Sequence, residues 1–125
     1  SGDELLRRVV KAFSREKAEY AVTGLAAAWL YTNFAAYRLV SIYLSSMPSR
    51  SLLNEIEFVD EPKGANFWLV LPDDEGVFQG TQKQADINCV SPLQTYLDLK
   101  SQPERAKEAA VELRRVLFKW DSHGY

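Results

Sequence analysis

Apolar residues first recur at helical spacing. Leu5, Leu6, Val9, Val10 and Phe13 repeat with gaps of three and four, while Arg7, Arg8 and Lys11 fall on the other side. This pattern predicts an amphipathic helix reaching Arg15, with Asp3 as its cap. Tyr20-Ala21-Val22-Thr23 then reads as a short buried strand, Gly24 breaks it, and the Ala-rich apolar stretch from Leu25 to Phe34 reads as a buried helix. From Arg38 to Ser45 the period shortens to two. Val40, Ile42 and Leu44 would share one face and Leu39, Ser41 and Tyr43 the other, as in a strand.

Met47-Pro48-Ser49 punctuates that strand, and Ser51 to Ile56 makes a short helical turn. A brief strand at Glu57-Phe58-Val59 and a turn at Pro62/Gly64 follow. Asn66-Phe67-Trp68-Leu69-Val70-Leu71 is apolar on both faces, which predicts a central strand covered on two sides. Pro72-Asp73-Asp74-Glu75-Gly76 carries turn residues, Val77-Phe78 is a weaker strand, and Ile87-Asn88-Cys89-Val90 another. Ser91-Pro92-Leu93-Gln94 has the form of a capping box, in which Ser91 accepts from the position 94 amide and the Gln94 side chain returns to Ser91. Pro92 then sits at the first helical position, where its missing N–H costs nothing. That helix should run through Leu99, with Leu93, Leu97 and one of Tyr96 or Leu99 in the core. A last helix begins near Pro103 and sets Ala106, Ala109, Ala110, Leu113, Val116, Leu117 and Trp120 along one stripe. Asp121 to Tyr125 shows no pattern.

Strands alternating with helices predict an α/β or α+β domain: a mixed β-sheet with helices packed on it, formed by residues 1–125 as one unit. Of the 125 residues, 46% are hydrophobic, enough to close a core without metals or disulfides. Cys89 is the one cysteine, so no internal disulfide forms and a reduced, cytoplasmic setting is expected. No apolar run reaches the roughly 20 residues that a membrane span needs. Fifteen basic against seventeen acidic residues give a net charge of −2, where a lone DNA-binding module would be basic. The opening Ser1-Gly2, with no methionine before it, reads as the scar of a cleavage and suggests a fragment of a longer protein.

Candidate chemistry is sparse. Cys89 lies in an apolar strand and His123 close to the C-terminus, an unpromising nucleophile–base pair. One Cys and one His do not make a structural zinc site. Asp73, Asp74 and Glu75 could draw a hard cation, but such acids on a Pro/Gly turn more commonly keep it solvated. Two basic sets, one at Arg7, Arg8, Lys11, Arg15 and Lys17 and one at Arg105, Lys107, Arg114, Arg115 and Lys119, are interleaved with glutamates and read as solvated helix faces. No cofactor or metal is expected.

Two resemblances bear on function. The strand–Gly–helix–strand order from Tyr20 resembles the minimal nucleotidyltransferase core, in which the second strand carries two metal-binding acids. Here Leu39 to Ser46 contains no Asp or Glu, so the likeness is to a degenerate core without the means to hold two cations. The string Val90-Ser91-Pro92-Leu93-Gln94-Thr95-Tyr96-Leu97-Asp98-Leu99, followed by Glu104-Arg105-Ala106-Lys107-Glu108-Ala109-Ala110, resembles the closing motif of AbiEi-type proteins. Upstream, Ala21-Val22-Thr23-Gly24 and Asn66 to Pro72 are also similar in order. AbiEi-type proteins are antitoxins and transcriptional regulators of type IV toxin–antitoxin systems, linked to abortive infection. The resemblance implies a non-catalytic regulatory domain. DNA would be bound through an N-terminal winged helix-turn-helix, for which nothing before Tyr20 is long enough, and the toxin would be opposed without a stable complex.

Within the closing string, packing explains Asp98 least. Gln94 lies four positions earlier on the same helical face and Tyr96 nearby, so Gln94, Tyr96 and Asp98 form the candidate binding surface. The bland alternative is a local side-chain pair without a partner. Competing functions are a metal-dependent nucleotidyltransferase or nuclease using Asp73, Asp74 and Glu75, or Asp86 and Asp98, and a dimerisation module using Trp68 and Trp120.

Overall fold

A computed structural model describes residues 2–33, 37, 39–56 and 67–100. The expected strand at Glu57–Val59, the Pro62/Gly64 turn, the helix from Pro103, the second basic set and His123 lie outside them. The chain runs α1 (Gly2–Arg15), β1 (Tyr20–Thr23), α2 (Gly24–Thr32), β2 (Val40–Leu44), α3 (Arg50–Glu55), β3 (Phe67–Val70), a 3₁₀ turn (Glu75–Phe78), β4 (Gln82–Gln84), β5 (Ile87–Cys89) and α4 (Pro92–Leu99). The five strands form one mixed sheet in the order β3-β2-β1-β5-β4. β1 is antiparallel to β2 and parallel to β5, β2 is parallel to β3, and β4 is antiparallel to β5. The fold is therefore α/β with a mixed sheet.

α1 buries the predicted stripe: Leu6, Val9, Val10 and Phe13 are all enclosed, and the Phe13 ring lies 5.9 Å from that of Tyr20 on β1. Asp3 lies inside the first turn and not at the cap, because the helix already begins at Gly2. Its other end closes with Lys17 in the left-handed region (φ 57°), the Ala18 N–H on the Phe13 carbonyl and the Lys17 N–H on that of Ser14. These are the two hydrogen bonds of a Schellman cap, here without the usual glycine. α3 starts at Arg50, one residue before the expected Ser51, with the Ser49 hydroxyl capping it by accepting from the Leu52 amide.

Register divides the sheet into two faces, because paired residues project to the same side. Tyr20, Val22, Val40, Ile42, Leu44 and Cys89 share the core face and are buried. The opposite face carries Ala21, Thr23, Ser41, Tyr43, Trp68 and Val70. Its first three members are small and buried, Tyr43 is half-buried, and Trp68 and Val70 are each 38% exposed.

Three further expectations need correction, and one strand was not foreseen. The Asn66–Leu71 run does not make a central strand: β3 is an edge among the described residues, pairing with β2, and it sends Leu69 toward the core while Trp68 and Val70 face outward. Val77-Phe78 is 3₁₀ and not a strand, because the Asp74 side chain accepts from the Gly76 amide and winds the chain there. β4 was not foreseen at all. Its Gln-Lys-Gln sequence has no apolar alternation, and the link to β5 is a two-residue turn with both Ala85 (φ 53°) and Asp86 (φ 66°) left-handed, the type I′ geometry usually written with Asn-Gly. Finally, Leu93 and Leu97 do not fill the core. They are 61% and 50% exposed, while Thr95 and Leu99 form the buried stripe of α4. Thr95 tolerates that position because its hydroxyl donates to the Ser91 carbonyl at 3.0 Å.

Left-handed geometry costs a side-chain-bearing residue about 1–2 kcal/mol that glycine escapes. Lys17→Gly and Ala85→Gly are each expected to stabilise the domain by about 0.5–1 kcal/mol, after glycine's larger unfolded-state entropy is subtracted. Urea unfolding of the two variants checks this, and a loss of stability in either would contradict the turn geometry.

Candidate functional site

Three side-chain hydrogen bonds converge where β1 becomes α2. β1 ends at Thr23, and Gly24 (φ 67°) turns the chain into the Ala-rich helix. Thr23 holds the cap position in an extended conformation, yet its side chain makes no capping bond to α2. The hydroxyl instead donates to Asp98 Oδ2 at 2.6 Å, and the Tyr43 hydroxyl on β2 donates to the same oxygen at 2.8 Å. Gln94 Nε2, one turn earlier on α4, donates to Oδ1 at 2.9 Å. One carboxylate thus ties α4 to β1, to β2 and to its own helix.

Electrostatics favours this placement. Contact with Thr23 sets the carboxylate beside the N-terminus of α2, whose first amides lack carbonyl partners within the helix and carry partial positive charge. The Tyr43 hydroxyl responds in the opposite sense. Burial, then its hydrogen bond to Asp98, then the carboxylate's charge hold its pKa well above the ordinary tyrosine value. A phenol so held stays protonated and remains a donor.

The structure brings together two of the three expected residues. Gln94 and Asp98 meet as their spacing predicted, but the Gln94 amide turns forward to Asp98 and not back to Ser91. The serine half of the capping box does form, with the Ser91 hydroxyl accepting from the Gln94 N–H at 3.1 Å. Tyr96 lies roughly half a helical turn away from Gln94 and Asp98. It packs against the core, with the Lys100 ammonium 5.2 Å from its ring centre. Thr23 and Tyr43 were missed as site residues. Their available signal was polarity on an otherwise apolar strand pair, on the face that Val22, Val40 and Ile42 leave free.

The remaining candidates are dispersed. Cys89 is fully buried, its thiol 3.6 Å from the Ile87 carbonyl, and burial pushes its pKa up to about 12. A thiol so held is a poor source of nucleophilic thiolate. The nearby Tyr31 hydroxyl donates to the Val90 carbonyl at 2.8 Å and is also raised, by burial first and the Cys89 charge second. Asp73, Asp74 and Glu75 are exposed. Asp74 and Glu75 border, with Glu19, Phe78 and Gln79, an open cleft of about 400 Å³. Asp86 is exposed in the β4–β5 turn. Among the described residues no group of three or more His, Cys, Asp or Glu is placed to hold a metal ion, and no helix is long and apolar enough to cross a membrane. Arg7, Arg8, Lys11, Arg15 and Lys17 are all exposed, and Arg15 forms an ion pair with Glu55 on α3.

No family model matches the chain, and no curated protein or solved structure is significantly similar to it.

Removing the Asp98 carboxylate leaves the hydroxyl of Thr23, a buried residue, without that acceptor. Asp98→Ala is expected to cost about 2 kcal/mol, and Tyr43→Phe about 1 kcal/mol. In the double variant the tyrosine change should cost almost nothing further, a coupling of about 1 kcal/mol. Strict additivity in urea unfolding would contradict the shared oxygen.

The raised thiol and phenols also set a pH dependence. A group whose pKa is higher folded than unfolded leaves stability intact below its unfolded value and removes it as pH climbs toward the folded one. Cys89 passes from 9.0 to about 12, and Tyr43 and Tyr31 shift the same way from 10.0. Unfolding free energy should therefore decline from about pH 9 upward, with Cys89→Ala flattening the first part of that decline.

Proposed function

We propose that this chain is the non-catalytic regulatory domain of an antitoxin-type bacterial transcriptional regulator, acting in the cytoplasm within a type IV toxin–antitoxin system. The observation that carries the reading is the commitment of Asp98. It is the single acid in the Val90–Leu99 string, and its oxygens accept from Thr23, Tyr43 and Gln94 at 2.6–2.9 Å. A carboxylate occupied in this way organises a surface and leaves little capacity for a catalytic cation. β2, the strand that would carry the metal-binding acids of a nucleotidyltransferase, reads Val-Ser-Ile-Tyr-Leu and supplies none. The closing string itself builds the β5–α4 corner that delivers Gln94 and Asp98 to the sheet, so the AbiEi-like residues and the clamp coincide.

On this reading DNA is contacted by an N-terminal winged helix-turn-helix outside residues 1–125, in keeping with the net charge of −2. The toxin is opposed without a lasting complex, and no cofactor takes part.

Growth rescue tests the proposal. Inducing the cognate toxin should arrest growth, and co-expression of the complete gene should restore it. Residues 1–125 alone report whether the activity resides in this domain. Arrest that persists while the complete protein accumulates in soluble form would sink the antitoxin reading. Calorimetric titration of the domain with Mg²⁺ and nucleotide should give no binding heat; a saturable signal would favour the metal-dependent enzyme.

A further inference from the structure

Among the described residues the two edges of the sheet are built differently. β4, at one edge, reads Gln-Lys-Gln, and its Lys83 is exposed. A lysine on a short polar strand guards that edge, because a further strand joining it would have to desolvate the ammonium. β3, at the other edge, reads Phe-Trp-Leu-Val and runs on into Leu71, with no charge and no proline before Pro72. Trp68, Val70 and Leu71 are 38%, 38% and 44% exposed, so apolar surface and sheet edge coincide. In a chain of which 26% is charged, this run carries none of the charges that keep an edge strand from pairing.

We propose that β3 is the docking edge for a second copy of this chain, the two β3 strands pairing antiparallel about a twofold axis at Leu69. Register selects that occupant. A twofold centre at Leu69 sets Trp68 of each copy opposite Val70 of the other, and both residues lie on the outward face of the sheet. The two exposed side chains of the strand thus become each other's cross-strand partners, an aromatic against a β-branched residue, one of the favourable pairs on a sheet surface. Leu69, which packs toward the core, meets its own copy and keeps the other side of the joint apolar. Electrostatics agrees with self-association: a twofold contact repeats every charge on both sides, and the run from Phe67 to Leu71 has none to repeat. One strand pair is a small contact beside the roughly 800 Å² per partner of a standard interface, so the dimer should form at micromolar concentration or above. This inference is independent of the antitoxin reading.

Sedimentation velocity on the full chain, from micromolar to millimolar concentration, tests it. The average mass should rise from monomer toward dimer. Trp68→Lys with Val70→Lys should weaken the dimer about tenfold or more with circular dichroism unchanged, whereas Leu93→Glu with Leu97→Glu, on the exposed ridge of α4, should leave it in place. As a second measurement, Trp68→Cys mixed with Val70→Cys should form a disulfide-linked pair several times faster than either variant alone; if the lysine pair unfolds, this cross-link decides. A monomer at millimolar concentration overturns the proposal, because the edge is then covered within the chain or left unpaired. Association that survives the folded lysine pair, association that the glutamate pair abolishes, and cross-linking without preference for the mixed pair overturn it too.

Discussion

A carboxylate gathers hydrogen-bond donors, and those donors fix whatever elements carry them. In this domain they come from the end of β1, the middle of β2 and the preceding turn of α4, so the position of Asp98 determines how α4 lies on the sheet. Gly24 is the enabling condition. Its left-handed backbone lets α2 begin immediately after β1, which leaves Thr23 at the helix start with its hydroxyl free to face α4. A side chain at position 24 would be strained, and a Thr23 that capped its own helix would leave Asp98 short of a donor. Sacrificing a local cap for a long-range bond makes the start of α2 a point of tertiary organisation.

The two faces of the sheet follow different rules because of this junction. On the core face, Val22, Val40, Ile42 and Leu44 enclose apolar volume with no polar obligations. On the other, Ala21, Thr23 and Ser41 are small, and their burial at 0–3% exposure shows how closely the covering elements approach. Ala26, Ala27 and Ala28 of α2 belong to the buried cluster of Val22, Val40 and Ile42, and α4 meets the opposite face through Asp98. Oxygens are tolerated there because each has an adjacent partner. A purely apolar version could be as stable, but it would lack the directional bonds that fix one register of α4 on the sheet.

Where sequence pattern and structure agree, the elements are those whose apolar period is set by one environment. α1, β1, β2, β5 and the Ser91-Pro92 start of α4 all face a single core and were legible from spacing alone. The misses share a different cause. β4 is a polar edge whose existence depends on pairing with β5, a non-local fact that alternation does not record. Phe67–Val70 is apolar on both faces, and two-sided apolarity does not distinguish a strand between two layers from an edge with one half-open face. Leu93 and Leu97 exceed Thr95 in hydrophobicity, but the i,i+4 bond from Thr95 to the Ser91 carbonyl allows the polar residue inward. For the site, the Gln94–Asp98 pair was readable from its spacing, whereas Thr23 and Tyr43 lie 75 and 55 residues from Asp98. Contacts that remote leave no local signature, and Tyr96 was included only because nearness in sequence does not account for half a helical turn.

Asp98 also separates two kinds of use for an acid at the end of a sheet. A metal-binding carboxylate must keep lone pairs directed at a common open point, shared with a second acid on a neighbouring residue or strand. Here a single acid turns one oxygen to two hydroxyls and the other to an amide, and one of those hydroxyls belongs to a tyrosine held in its protonated form. A side chain held from three directions is stationary, which suits the frame of a recognition surface. The consequence for the proposed regulatory role is that specificity would belong to the side chains the clamp positions around it, Leu93 and Leu97 on α4 and Trp68 and Val70 on β3, with Asp98 acting through them. A substitution at Asp98 would then alter function and stability together, whereas one at the flanking exposed residues would separate the two.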